Sequence, residues 1–481
     1  MKKNICSEKT QIKAIILFIL FGVILSLLLL LNPTDDDWRY LTAPNLNFNV
    51  RTLLPNGNFW RPFDAIFGYF LSLHPKWFPV LNHLWILIGH FISTFIIYLI
   101  LLRIEVSKYS RNISICFYFV SPAILGTLLG IDSLNQVYAS TWGLLSLYAF
   151  ITIKCKYRYL FWILFAFMST FSKENGLAYF LIPPIFNYAI STDLSAIKKK
   201  KCIVEMALGI LSISIYLILR FTLKIGDMSM NETTPYVFTF KNKLLDALSF
   251  IGSTFTAIDS ISLIHKASRN LIIVFMTTIF SLPFIYFVFL KQIRYFKKAK
   301  AILFILCLLI AVAPHLLTHF GPMHAYSGLG MFVIIVSIFV DKTSVDKKIE
   351  LSFILYFSSA LFVDAHHWYK TYMSSQAGIE MAKYAIMHTK DPVDSIFVLS
   401  ISDNSQKYSS FCVRPFDAYH YGDAALYLNN YYWPRKCHVL VLRQNDMYKV
   451  NGIVDSVKVY TRYKYIWINY KNKVKVICLR K

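Results

Sequence analysis

Three adjacent carboxylates, Asp35-Asp36-Asp37, followed at once by Trp38, have the most chemical potential in this chain. Neighbouring carboxylates repel, which raises at least one pKa unless a cation or hydrogen bonds compensate. Pinned at a membrane surface they could serve as a general base or a cation site. On a solvated turn they would only help orient the helix before them. A second group, Asn58-Phe59-Trp60-Arg61-Pro62-Phe63-Asp64, sets a guanidinium among aromatics, where it can hold a phosphate bidentately. Anchoring in the headgroup layer explains Phe59, Trp60, Phe63, Phe67, Tyr69 and Phe70, but explains Arg61 and Asp64 less well. The third group, Ser172-Lys173-Glu174-Asn175-Gly176, predicts a Lys-Glu ion-pair knot that is also suited to an anionic phosphate. The fourth comprises His315, His319, His324 and Tyr326 around Gly321-Pro322. Its histidines have a ligand-like spacing, yet no carboxylate or cysteine completes a metal set nearby, so polar lining of a cavity is preferred.

The elements that must position these groups are membrane helices. The 481 residues are 56% hydrophobic and 17% aromatic. With a mean hydropathy of +0.49, that is more apolar surface than a soluble core can bury. Only 16% are charged, yet the net charge is +24, which points to basic loops on the cytoplasmic side. No polar domain carries that charge, so nucleic-acid binding is set aside. The eight cysteines are scattered without metal-ligand spacing and act as small hydrophobes; one disulfide among Cys412, Cys437 and Cys478 is open if the tail is outside. Apolar runs fall near 14–31, 78–102, 112–130, 134–153, 159–171, 176–190, 203–223, 270–290, 301–318, 325–340 and 351–363. That makes about eleven spans, given a hydrocarbon core of ~30 Å and a rise of 1.5 Å per residue. The first run follows Lys2, Lys3, Lys9 and Lys13 but lacks a small-x-small cleavage site, so it reads as a retained helix.

Loop charge orients the chain. With the N-terminus cytoplasmic, the connections 103–111, 154–158, 191–202, 291–300 and 341–350 are inside, and all are basic. The turns 130–134, 172–175 and 319–325 carry almost no positive charge and fall outside. So do the loops 32–77 and 224–269. This places all four groups on one side of the membrane. His90, deep in the second run, is expected to make a helix–helix hydrogen bond. The chain is expected to divide into a membrane domain, 1–365, and a small soluble α+β domain outside, 366–481. Strands are expected at 396–401, 439–442, 457–460 and 474–478.

The order of these parts resembles the GT-C superfamily of membrane glycosyltransferases, in particular its protein O-mannosyltransferase-like branch. One helix is followed by an outer loop opening with clustered acids, an Arg-Pro step and a helix beginning near Asn82. Ser121-Pro122 through Asp132-Ser133-Leu134-Asn135-Gln136 to Leu147 is similar to that family's third and fourth helices, and Ser172-Lys173-Glu174-Asn175-Gly176 looks like its Lys-Glu signature. The resemblance spans roughly 10–365 in architecture and is confined to short motifs at residue level. It implies a polyprenyl-phosphate sugar donor, the bilayer as its setting, and a glycan or protein acceptor. It also implies a base within the acidic cluster. Asp36 belongs to both overlapping pairs and is the choice, with Asp35 and Asp37 beside it. Lys173, Arg61 and His315 are the candidates for the donor phosphate. Glu174, Asp64, His319, His324 and Tyr326 are the candidates for the surrounding cavity. The family contains metal-dependent and metal-independent members, and the three aspartates permit a divalent cation without demanding one. Lys, Asn and Ile usage suggests an AT-rich bacterial genome, hence a plasma (inner) membrane. The rival readings are a surface-glycan ligase or polymerase, and a lipid or sugar transporter. A transporter would place charges near the midplane, often in paired repeats, and neither is seen in the sequence.

Overall fold

The computed structural model describes residues 25–33, 37, 48–55, 59–73, 80–191, 194–223, 251–259, 271–294, 297–316, 322–342 and 347–388, with four short tail segments. A short interfacial helix α1 (Pro62–Ser72) starts on Pro62, whose fixed φ suits a first helical turn. It precedes α2 (Val80–Arg103), α3 (Lys108–Val120), α4 (Pro122–Leu128), α5 (Leu134–Thr152) and α6 (Tyr157–Ser172). A 3₁₀ stretch, Glu174–Phe180, leads to α7 (Ile182–Ile190) and α8 (Ala196–Thr222). Then come α9 (Leu271–Ile293), α10 (Lys298–Leu316), α11 (Ala325–Asp341) and α12 (Lys347–His388).

Among the described residues, five helices are long and apolar enough to cross a membrane, and six if the bent α3–α4 pair is one span. The protein is a helical membrane protein. The breaks have local causes. Between α3 and α4 the chain bends by 44° at Ser121-Pro122, where proline removes a backbone donor and Ser121 caps the next turn at Ala123 N. In α9, Pro283 is followed by a π-helical stretch, Phe284–Leu290, the usual response to a missing amide.

Each described apolar run holds helix, with two corrections. The run 176–190 is split into a 3₁₀ segment and α7, because Pro183-Pro184 fit only the first turn of a new helix. The last helix does not stop at 363. It continues to His388, through the expected boundary at 365–366, since residues 364–377 include no Gly or Pro and loss of hydrophobicity alone does not end a helix.

The core lies where α5 packs on α2 and α6, α3 on α11, and α10 on α7 and α11. Aromatic rings fill much of it: Phe117 stacks on Tyr356 at 4.5 Å, and Phe284 lies 4.6 Å from Tyr356. Polar side chains cross the bundle in pairs. His90 Nδ1 lies 2.9 Å from Tyr326 Oη, which accepts from Tyr118 Oη at 2.9 Å, so His90 does make a helix–helix bond. His367 Nε2 pairs with Asp259 Oδ1 at 2.8 Å, holding the 251–259 segment to α12.

In the tail, β1 (Ser395–Ser400) lies between β2 (His438–Leu442) and β3 (Tyr465–Tyr470), parallel to both. β4 (Lys473–Cys478) is antiparallel to β3, with Tyr470 opposite Lys473. Strands thus occur at three of the four expected places. The expected strand at 457–460 lies outside the described residues, and β3 was not anticipated.

Candidate functional site

The site is built on the turn after α6. Lys173 is extended, with φ −157° and ψ 144°, and the next residues coil at once into the 3₁₀ segment. Gly176 makes this tight reversal possible: a Cβ there would sit 2.4 Å from the Ser169 carbonyl carbon. Adjacent side chains on extended backbone point to opposite faces. Lys173 and Glu174 accordingly diverge, and the expected Lys-Glu knot does not form. Each reaches a different loop.

Glu174 meets Arg61. Its Oε2 accepts from Arg61 Nη2 at 2.7 Å and from Nε at 2.8 Å, while Oε1 accepts from Trp60 N at 3.3 Å. The guanidinium lies 4.3 Å above the Phe59 ring. Trp60, only 8% exposed, stacks on Tyr216 of α8 at 5.4 Å, meets Phe171 edge-on at 4.9 Å and donates Nε1–H to Leu53 O at 3.0 Å. Phe67 packs 4.7 Å from Tyr138. The aromatics expected to anchor in headgroups therefore divide: Trp60 and Phe67 clamp the first loop to the bundle, and Phe70 remains exposed. Burial pulls the Glu174 carboxyl upward, but the Arg61 charge and hydrogen bond outweigh it and hold the group below the usual carboxylate range.

Lys173 turns the other way. It is 6% exposed, and its Nζ touches Met323 Sδ at 3.3 Å, a weak acceptor. Among the described residues, no carboxylate lies within ion-pair distance of it. Burial first, and the neighbouring Arg61 charge second, push its pKa down to about 8, against the pull of Asp132, Glu174 and Asp64. Those four neighbours come from three separate stretches of the chain, so the groups far apart in sequence meet around this ammonium.

The remaining groups complete the ring. Asp37, 1% exposed, accepts from the backbone amides of Ile131 at 2.6 Å and Asp132 at 2.9 Å, just before α5. Asp64, in the first turn of α1, accepts from Asn135 Nδ2 at 3.2 Å in the first turn of α5. Met323 O accepts from Thr127 Oγ1 at 3.0 Å. His315 and His324 stack at 4.0 Å, and His315 lies close enough to feel the charges of Lys173 and Arg61.

Of the expected site residues, Asp37, Arg61, Asp64, Lys173, Glu174, His315 and His324 are therefore brought to one end of the bundle. Asp35, Asp36 and His319 lie outside the described residues. Tyr326 is corrected: it is fully buried, one residue into α11, and engaged with His90 and Tyr118 instead of lining a cavity. Asp37, with two amides on one oxygen, fastens the loop more than it offers a free base. Sequence reading missed Met323, Asn135 and Arg220, whose charge reaches Glu174 from the far end of α8. Asn135 stands in the Asp132–Gln136 motif without an assigned role, and Arg220 is the one cation in the apolar run 203–223. Among the described residues no group of three or more His, Cys, Asp or Glu could hold a metal ion. Compared with known proteins, the chain matches no family model and no curated sequence.

Proposed function

We propose that this chain is a GT-C-like glycosyltransferase that moves a sugar from a polyprenyl-phosphate donor to an acceptor hydroxyl at the outer face of a bacterial plasma membrane. In this reading about eleven helices span the bilayer, the N-terminus is cytoplasmic, and the tail beyond α12 is an extracytoplasmic α+β domain. The observation that carries the reading is Lys173: a buried ammonium with a thioether as its contact, beside an Arg61 already paired to Glu174. Such a group is stabilised by an incoming anion, and a phosphate at headgroup level is the anion a membrane offers.

The chemistry follows from the charges. Asp36 takes the proton of the acceptor hydroxyl as its oxygen attacks the anomeric carbon. The bond from that carbon to the phosphate oxygen breaks, and its electron pair leaves with the phosphate. Lys173 stabilises the charge that grows there, with Arg61 and His315 behind it. A single displacement inverts the anomeric centre. Asp37 serves by fixing its neighbour's loop to the start of α5, and Asp64 by fixing α1. A divalent cation, if used, would be held by the Asp35–Asp37 cluster.

The test is to incubate the purified protein with a panel of polyprenyl-phosphate sugars and candidate acceptors, and to weigh the products. The wild type should form a glycosylated product, and Asp36→Asn should abolish it while leaving expression intact. Transfer retained by Asp36→Asn removes Asp36 from its role. Movement of labelled lipid across vesicles with no covalent product would instead make the chain a transporter.

A further inference from the structure

The end of the bundle opposite the candidate site holds a cavity of about 510 Å³, walled by α2, α5, α7 and α8. Lys201 of α8 lines it, whereas Tyr216 and Arg220 of the same helix attend the first site, about 25 Å further along the axis at 1.5 Å per residue. The two sites are thus a membrane's thickness apart.

Among the described residues three cations line this cavity, Arg103, Lys198 and Lys201, all exposed. Among the described residues of its walls the one acid, Glu205, is 4% exposed and already neutralised: it pairs with Arg158 and accepts from Tyr159 Oη at 3.1 Å. Lys300 adds to the field, donating to Ser191 O at 2.5 Å on the cavity wall within reach of the Lys198, Lys297 and Lys342 charges. The described walls of the cavity therefore carry a net positive charge. Part of its wall is apolar, with Pro184 and Cys202 buried. The neighbouring surface fixes its height. Immediately after Lys201, α8 exposes Ile203 at 56% and Val204 at 62%, so hydrocarbon begins there and the lysine turn lies at the level of lipid phosphates.

We infer that this cavity is a binding site for the phosphodiester headgroup of an anionic phospholipid, with Arg103, Lys198 and Lys201 around the phosphate and the glycerol end against the apolar wall. A free phosphate would use the same cations but not that wall. The site is independent of the proposed transfer reaction and needs only that the bundle lies in a bilayer.

The experiment is native mass spectrometry of the full chain released from micelles containing phosphatidylglycerol and phosphatidylcholine in equal amounts. Phosphatidylglycerol should be retained preferentially. The double variant Lys198→Gln/Lys201→Gln should lose that preference, by about fivefold for each lysine removed. Both lysines are exposed, so the variant should keep the wild-type melting temperature. A control variant at the foot of α12, Lys347→Gln/Lys348→Gln, should retain the preference. Equal retention of both lipids by the wild type, or an unchanged preference in the Lys198/Lys201 variant, overturns the assignment. So does displacement of the lipid by millimolar inorganic phosphate, which would mark a soluble anion as the occupant.

Discussion

An ammonium taken out of water beside a guanidinium is costly, and proteins keep such a group where an anion arrives to compensate it. At Lys173 the cost has a measurable form. Its pKa of about 8 lies below the ordinary 10.5, so the charged form is disfavoured in the fold. Below pH 8 the lysine is charged folded and unfolded, and its burial subtracts from stability. Between 8 and 10.5 the folded protein binds fewer protons than the unfolded chain, so this penalty is relieved as pH rises. Lys173→Met should remove that pH dependence of the melting temperature. Donor-phosphate affinity should run the opposite way, holding well below pH 8 and falling as pH passes it. Melting temperature and lipid-phosphate binding, each followed against pH, check the two expectations. Glu174→Gln separates the partners: with side chains only about a fifth exposed, the Arg61 pair should cost about 1–3 kcal/mol when broken, read as a lower melting temperature. The same change removes an anion near Lys173, so the midpoint of phosphate binding should move to lower pH.

At the scale of elements, the Lys173–Gly176 turn shows what a sequence reveals and what it hides. The motif was legible as a charged break between apolar runs. Its geometry was not, because neighbouring Lys and Glu side chains diverge when the backbone between them is extended, and only the fold states what each then meets. The Arg61–Glu174 pair joins positions 113 apart, and no local pattern announces it. The extension of α12 past 363 was missed for a different reason: hydropathy marks where lipid ends, and helices continue beyond it. Gly176 offers a direct test. Gly176→Ala forces a methyl against backbone at 2.4 Å and should cost about 1–3 kcal/mol or more of stability, read as a lower melting temperature. Gly330→Ala, whose nearest neighbour is the mobile end of Leu144 at 3.2 Å, should be much milder.

For the whole molecule, the alternation of basic and neutral loops foretold which ends would gather. The turns 130–134 and 172–175 and the described residues 322–325 do converge with the first loop, and the basic ends of α2 and α8 line the cavity at the opposite end. In a background where the reporter is the only cysteine, an impermeant maleimide should label Val50→Cys on intact cells, since Val50 is exposed in the first loop. It should reach Cys155, exposed between α5 and α6, only after the membrane is opened. Labelling in the reverse order would invert the proposed orientation. The decisive measurement concerns the gathered charges themselves: the affinity of a polyprenyl phosphate for wild-type protein and for Lys173→Met, both in nanodiscs. Loss of affinity by tenfold or more, with the variant melting no lower than wild type, is the expected result. Equal affinity in the two proteins would contradict a phosphate seat at Lys173, and with it the proposed donor site.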